Sequence, residues 1–71
     1  MTAEEILVAN GWKFSKACTS CGGNKKDYVH PDKPNKRVQL LNNSQYFYVF
    51  EGAFCTKADY TTNLEKVITT L

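Results

Sequence analysis

The sequence predicts an α+β fold: a small antiparallel sheet of three to four strands, with N- and C-terminal helices packed on one face, in the order α-β-β-β-β-α. Three observations carry this. Thr2-Ala-Glu-Glu5 has a hydroxyl at the N-cap and a glutamate three residues on, the pattern of a capping box. Trp12 to Cys18 alternates with period two, and Gly-, Pro- and Asn-rich turns separate the further strand-like stretches up to Phe50. Leu64, Val67, Ile68 and Leu71 recur at i, i+3, i+4 and i+7, one stripe of a helix. A sheet covered on one side by the two helices buries both stripes. Seventy-one residues correspond to a single small domain over 1–71.

Each element has a local reason. The first helix is expected over 3–10, with Ile6 and Leu7 as its buried stripe and Gly11 as its left-handed stop. Trp12 to Cys18 reads as a strand whose Trp12 and Phe14 face the core. Gly22-Gly-Asn24 signals a turn, and Lys26 to His30 returns as the second strand of a hairpin. Pro31 and Pro34 break the ladder because each lacks a donor. Arg37 to Leu41 is a third strand and Asn42-Asn-Ser44 a turn. Gln45 to Phe50 is a fourth strand, aromatic and apolar on both alternating faces, and therefore expected to be central or covered. Glu51 and Gly52 close it. Thr62-Asn-Leu-Glu65 repeats the capping-box pattern before the last helix, with Asp59 as a cap one turn earlier.

Size and charge exclude whole classes. A chain this short buries only about 60% of its unfolded surface, so a metal, a disulfide or a partner would help it. At 42% hydrophobic it is too apolar for a disordered segment. No apolar run approaches the ~20 residues of a membrane span, so no membrane partner is expected. The acidic start Met1-Thr-Ala-Glu-Glu is unlike a signal peptide, and three cysteines do not make a secreted disulfide scaffold; a cytoplasmic location is expected. The net charge of +2 conceals an asymmetry. Seven basic residues between Lys13 and Arg37 face only Asp27 and Asp32, whereas the rest of the chain is acidic. Such a basic middle suits an anionic partner.

Cys18-Thr-Ser-Cys21 is the one motif with metal or redox chemistry in it. The C-x2-C spacing provides half of a tetrahedral zinc site, and Cys55 is the better third ligand if its strand end lies near the hairpin tip. His30, across from Lys16 or Ala17 in a hairpin centred near Gly23, would lie near Cys18 but on the order of 10 Å from Cys21. Thiol–disulfide catalysis usually places a cysteine at a helix N-terminus, and here turn and strand follow instead. A reduced pair at a turn, with Cys55 as a small apolar side chain, is the remaining alternative. Nucleic-acid binding rests on Lys16, Lys25, Lys26, Lys36 and Arg37, clustered around two turns, with Tyr28 interleaved for stacking. Hydrolytic motifs are absent: the chain has one histidine and no Ser–His–Asp, paired-carboxylate or phosphate-loop pattern. Trp12 and the aromatic strand read as core.

The order of motifs resembles a known family. A helix ending in Asn10-Gly-Trp12, a strand, a turn with Ser20 and glycines, then Asp27-Tyr-Val-His-Pro-Asp32, Lys36-Arg-Val-Gln-Leu40 and a closing Thr62-Asn-Leu-Glu-Lys-Val-Ile68 are similar to the HicA-type toxins. These are small RNA-cleaving proteins with a double-stranded-RNA-binding-like fold. The resemblance implies that fold and a basic hairpin face. Where the family carries a glycine, a serine or threonine and then its catalytic histidine, this chain has Thr19-Ser20-Cys21-Gly22, so nuclease activity does not carry over.

The sequence therefore predicts a non-enzymatic domain that binds RNA or another polyanion through a basic β-hairpin, using Lys16, Lys25, Lys26, Tyr28, Lys36 and Arg37. The alternative is a phage or mobile-element module that docks on a host protein. Either is compatible with no cofactor or with one structural zinc on Cys18, Cys21 and Cys55.

Overall fold

The computed structural model describes residues 2–18, 25–41 and 43–71. In chain order the elements are helix α1 (Ala3–Ala9), strands β1 (Lys13–Cys18), β2 (Lys25–His30), β3 (Lys33–Leu41), β4 (Tyr46–Glu51) and β5 (Phe54–Tyr60), a 3-10 turn (Thr61–Asn63) and helix α2 (Leu64–Ile68). The strands form one antiparallel meander in the order β1-β2-β3-β4-β5. The fold is α+β as expected, with one strand more. The expected turn at Gly22–Asn24 lies outside the described residues.

The capping box at Thr2 forms: its hydroxyl accepts from the Glu5 N–H at 3.2 Å, and the Glu5 carboxylate accepts from the Thr2 N–H at 3.0 Å. Gly11 then leaves the helix at φ +89°, and Trp12 turns into the core with 2% exposure. Beside this junction His30 is buried. Its Nε2–H donates to the Asn10 carbonyl at 3.1 Å, and its Nδ1 accepts from the Asp32 N–H at 3.1 Å. Its ring meets Trp12 edge-on at 5.3 Å. The expected placement of His30 across from Lys16 or Ala17, near Cys18, is thus corrected: those residues pair with Asp27 and Lys26 instead. Cys18 pairs with Lys25 and Lys13 with Val29, so the hairpin centres nearer Cys21 and His30 lies at its far end.

Pro34 does not end the sheet. Val29 pairs with Arg37 but His30 pairs with Lys33, so Pro34 lies in a bulge where no ladder donor is required. Phe14 shares the helix-covered side with its partner Tyr28 but stays 56% exposed, because β1 is the sheet edge and no helix reaches over it. β4 is interior to the sheet, but only one of its sides is covered: Phe47 and Val49 are fully buried, whereas Tyr46 and Tyr48 are exposed. A two-residue turn follows, with Gly52 at φ +60° in the position where such hairpins favour glycine. At the C-terminus no side chain caps α2 from Asn63 or the 3-10 turn from Tyr60. Asp59 instead accepts from the Tyr60 N–H at 2.7 Å and from Asn63 Nδ2 at 3.2 Å.

The core lies between the sheet and the two helices. Leu7 of α1 and Leu64, Val67 and Ile68 of α2 join Trp12, Tyr28, Val38, Leu40, Phe47 and Val49 in one apolar cluster. Each fully buried large side chain contributes about 1.5–3 kcal/mol relative to exposure. Both helices lie on this side, and among the described residues the opposite side of the sheet carries no helix.

A Cβ on Gly11 would meet His30 Nε2 at 2.7 Å in a backbone conformation that L side chains avoid. Gly11→Ala is expected to lower unfolding stability by about 1–3 kcal/mol. Chemical denaturation of G11A, H30A and the double variant should show a smaller cost of G11A in the H30A background, where the clash is gone but the φ strain stays.

Two exposed carboxylates are held in their charged form. Glu5 is shifted below its ordinary value by the Thr2 backbone N–H and then the Thr2 hydroxyl, and Asp59 by the Tyr60 N–H and then Asn63. Lowered values mean stability that is present above the ordinary values of 4.5 and 3.8 and lost as pH falls through the shifted ones. In thermal unfolding followed by circular dichroism, the loss of stability on acidification through this window should be shallower in the Glu5→Gln/Asp59→Asn variant than in the wild type.

Candidate nucleic-acid interface

Paired residues in an antiparallel sheet share a side, and successive residues alternate. The register therefore assigns every strand side chain to the helix-covered side or the open side. Lys13, Lys16, Lys25 and Arg37 fall on the open side with Asp27, Val29, Gln39 and Leu41. Tyr46, Tyr48 and Phe50 of β4 and Tyr60, Ala58 and Cys55 of β5 continue the same surface. Lys26, Tyr28 and Lys36 fall on the helix-covered side.

This divides the expected basic cluster. Lys25-Lys26 and Lys36-Arg37 are adjacent pairs, so one member of each points to either side. Lys26 Nζ lies 3.8 Å from Glu4 of α1, and Lys36 Nζ 3.4 Å from Glu51. Such partly exposed pairs contribute about 0–1 kcal/mol, but they neutralise both lysines. Tyr28, expected to stack on a ligand, is 4% exposed and belongs to the core. Burial, and then the nearby Glu4 charge, push its hydroxyl pKa up. The structure keeps Lys16, Lys25 and Arg37 of the expected set together on one side and adds Lys13.

The aromatic part of the open side was read from sequence as core, and the register corrects this. Tyr46 and Tyr60 pack with ring centroids 5.0 Å apart, and Tyr48 and Phe50 at 6.1 Å. The Arg37 guanidinium lies 4.6 Å over the Phe50 ring. Asp27 is buried and accepts from Gln39 Nε2 at 2.9 Å. The strand residues of the open side thus carry four cations against one buried acid. Glu4, Glu51 and Asp59 belong to the helix side, through the Lys26 and Lys36 ion pairs and the Phe47–Asp59 register. One signal in the sequence marks this surface: the hydroxyl-bearing Tyr46 and Tyr48 share one parity of the strand, and Phe47 and Val49 share the other.

Cys18 and Cys55 lie far apart. Cys18 ends β1 at one edge of the sheet, and Cys55 lies in β5 at the other edge and in the opposite end row. Four interstrand spacings plus the offset along the strands separate their backbones by on the order of 20 Å. Two zinc-bound thiolates must each lie about 2.3 Å from the metal. Cys55 is therefore removed from the expected zinc set. It is an exposed free thiol whose Sγ donates to the Lys57 carbonyl at 3.5 Å. Cys21 lies outside the described residues. Among the described residues no group of three or more His, Cys, Asp and Glu side chains could hold a metal, and no helix is long and apolar enough to cross a membrane.

Comparison with protein-family models, curated proteins and solved structures finds no match. The stretch Thr19–Gly22, which would align with the catalytic turn of the HicA-type toxins, lies outside the described residues.

Cys55→Ser should leave zinc content, measured by elemental analysis of protein purified without added metal, equal to that of the wild type. It should change unfolding stability by no more than about 0.5 kcal/mol.

Proposed function

We propose that the open side of the sheet binds single-stranded RNA without cutting it, with Lys13, Lys16, Lys25 and Arg37 contacting phosphates and Tyr46, Tyr48, Phe50 and Tyr60 stacking on bases. The observation that carries this reading is the joining of a cationic half on β1–β3 to an aromatic half on β4–β5 on one helix-free surface. Alternate residues of a strand are about 6.6 Å apart. Tyr46, Tyr48 and Phe50 thus form a row whose step suits an extended strand, on which each unpaired base can find a ring. Phosphate contacts supply affinity with little sequence preference. The one histidine is committed to the Asn10 carbonyl and the Asp32 N–H, which supports binding rather than hydrolysis.

A second reading, docking on a host protein, draws on β5. Its outer edge is unpaired in the sheet, and Phe54 is 77% exposed there. Capture of a protein partner that survives nuclease and moderate salt would favour it.

Fluorescence anisotropy with a short single-stranded RNA at low salt tests the first reading. Tyr48→Ala should weaken binding about tenfold or more, from a stacking contribution of about 1–3 kcal/mol per base. Lys16→Gln/Lys25→Gln should flatten the dependence of log affinity on log salt by about 0.7 per lost contact. Lys26→Gln/Lys66→Gln, with Lys26 on the helix-covered side of the sheet and Lys66 on α2, should leave that slope unchanged. Equal effects of the two lysine pairs would sink the assignment, as would duplex binding as tight as single-strand binding.

A further inference from the structure

One end of the sheet carries a notch, lined by Val29 and Arg37 of the open side and by Lys36 and Glu51 of the helix side. Between the His30–Lys33 and Val29–Arg37 pairs, β3 carries three residues with no partner on β2: Pro34, Asn35 and Lys36. The Gly52 N–H donates to the Asn35 carbonyl at 2.9 Å, so this bulge and the β4–β5 turn enclose an open concavity of about 720 Å³. Val29, Asn35, Lys36, Arg37, Glu51 and Gly52 line it.

Arg37 is the unsatisfied group of this notch. Its guanidinium is fixed over Phe50, and its Nε is buried with no hydrogen-bond acceptor. Among the described residues no carboxylate lies within ion-pair distance of it, whereas the neighbouring Lys36 is already paired with Glu51. Burying one N–H donor without an acceptor is costly, and the guanidinium carries four further donors in the same planar fork. The fork matches two oxygens of a phosphate. Gly52 also lines the notch, and a Cβ there would meet nothing within 4 Å, so the space beside it is open. Phe50, under the guanidinium, is also the first ring of the aromatic row.

We propose that the notch binds a terminal phosphate group of a nucleotide, either at the end of a single strand or on a free mononucleotide. Arg37 supplies the two-pronged contact, and Phe50 and Tyr48 take the adjacent base. The inference rests on the reading of the open side as a nucleic-acid surface. It adds to that reading a fixed end at which a bound strand begins.

The test has two measurements on the full chain. In the first, oligonucleotides of one sequence carrying a 5′-phosphate, a 3′-phosphate or neither compete for binding. One phosphorylated end should bind about tenfold more tightly than the unphosphorylated strand, the worth of one charge-assisted contact. That preference should disappear in Arg37→Lys, which keeps the charge and loses the fork, with an unchanged circular dichroism spectrum. In the second, the Arg37 Nε–Hε and Gly52 N–H resonances are followed while a nucleoside monophosphate, the bare nucleoside or inorganic phosphate is added. Shifts with the monophosphate and not with the nucleoside support the site, and without any end preference among the oligonucleotides they identify the free nucleotide as its source. Strand binding with no end preference and a silent Arg37 overturns the notch and leaves the open-side reading standing. Shifts with the monophosphate in a protein that binds no strand overturn the open-side reading and leave the notch. Silence in both measurements overturns both.

Discussion

Leu7, Val38, Leu40, Phe47, Val49 and Leu64 are all fully buried, and they meet between the helices and one side of the sheet. A strand side chain can reach that cluster only if its parity is right, because successive residues of a strand point to opposite sides. A slip of one residue in β3 or β4 would bring Gln39 and Tyr48 into the core and expel Leu40 and Phe47. At about 1.5–3 kcal/mol for each large apolar side chain, such a slip would remove most of the margin of a small domain. The register of the central strands is therefore fixed by the covered side, and the composition of the open side follows from it. The junction of Gly11, Trp12 and His30 holds one end of this arrangement, since it ties the exit of α1 to the β2–β3 turn.

The open side must then persist in water with no second layer. Pairing within the surface does part of this: Tyr46 with Tyr60, Tyr48 with Phe50, Arg37 over Phe50 and Gln39 with Asp27. A tyrosine hydroxyl can be satisfied by water, which makes large rings tolerable at a surface. Both sheet edges are interrupted. Ser15 is an extra residue in β1, and Thr56 is an extra residue in β5 whose hydroxyl donates to the Val49 carbonyl at 3.3 Å. Bulges at edges weaken pairing with another chain without abolishing it, which limits continuation of a sheet whose rings are exposed.

Much of the fold was legible because strong local signals agreed with it. The capping box, the apolar stripe of α2, the alternation in β1 and the turn residues between strands are all properties of short windows. The fifth strand was not legible for a physical reason. Phe54–Tyr60 is exposed along almost all its length and held by backbone pairing to β4, so its side chains carry no burial pattern. The candidate site was half legible. The basic segment was visible, but counting charge along the chain treats Lys25 and Lys26 as one patch when a sheet separates them. The aromatic row was hidden in a segment that also supplies the core, and only the parity of Tyr46 and Tyr48 distinguished the two roles. The convergence of Cys18 with Cys55 depended on strand order, which short-range spacing does not encode.

The separation of sides also changes what the modest net charge means. At +2 the whole chain is nearly balanced, and a uniform distribution would give little preference for a polyanion. Here Lys26 and Lys36 are matched by Glu4 and Glu51 on the helix side, while Lys13, Lys16, Lys25 and Arg37 share the open side with a single buried acid. A sheet with helices packed on it is about 10 Å from layer to layer, and the Debye length at physiological salt is about 8 Å. The acids of one side are thus largely screened from a ligand approaching the other, which meets a cationic surface rather than a neutral one. That field would act before contact, orienting an anionic strand toward the open side, and the rings of β4 and β5 would act only after contact. The covered side sets the register, the register sorts the charges, and the sorted charges leave the open side of the sheet cationic.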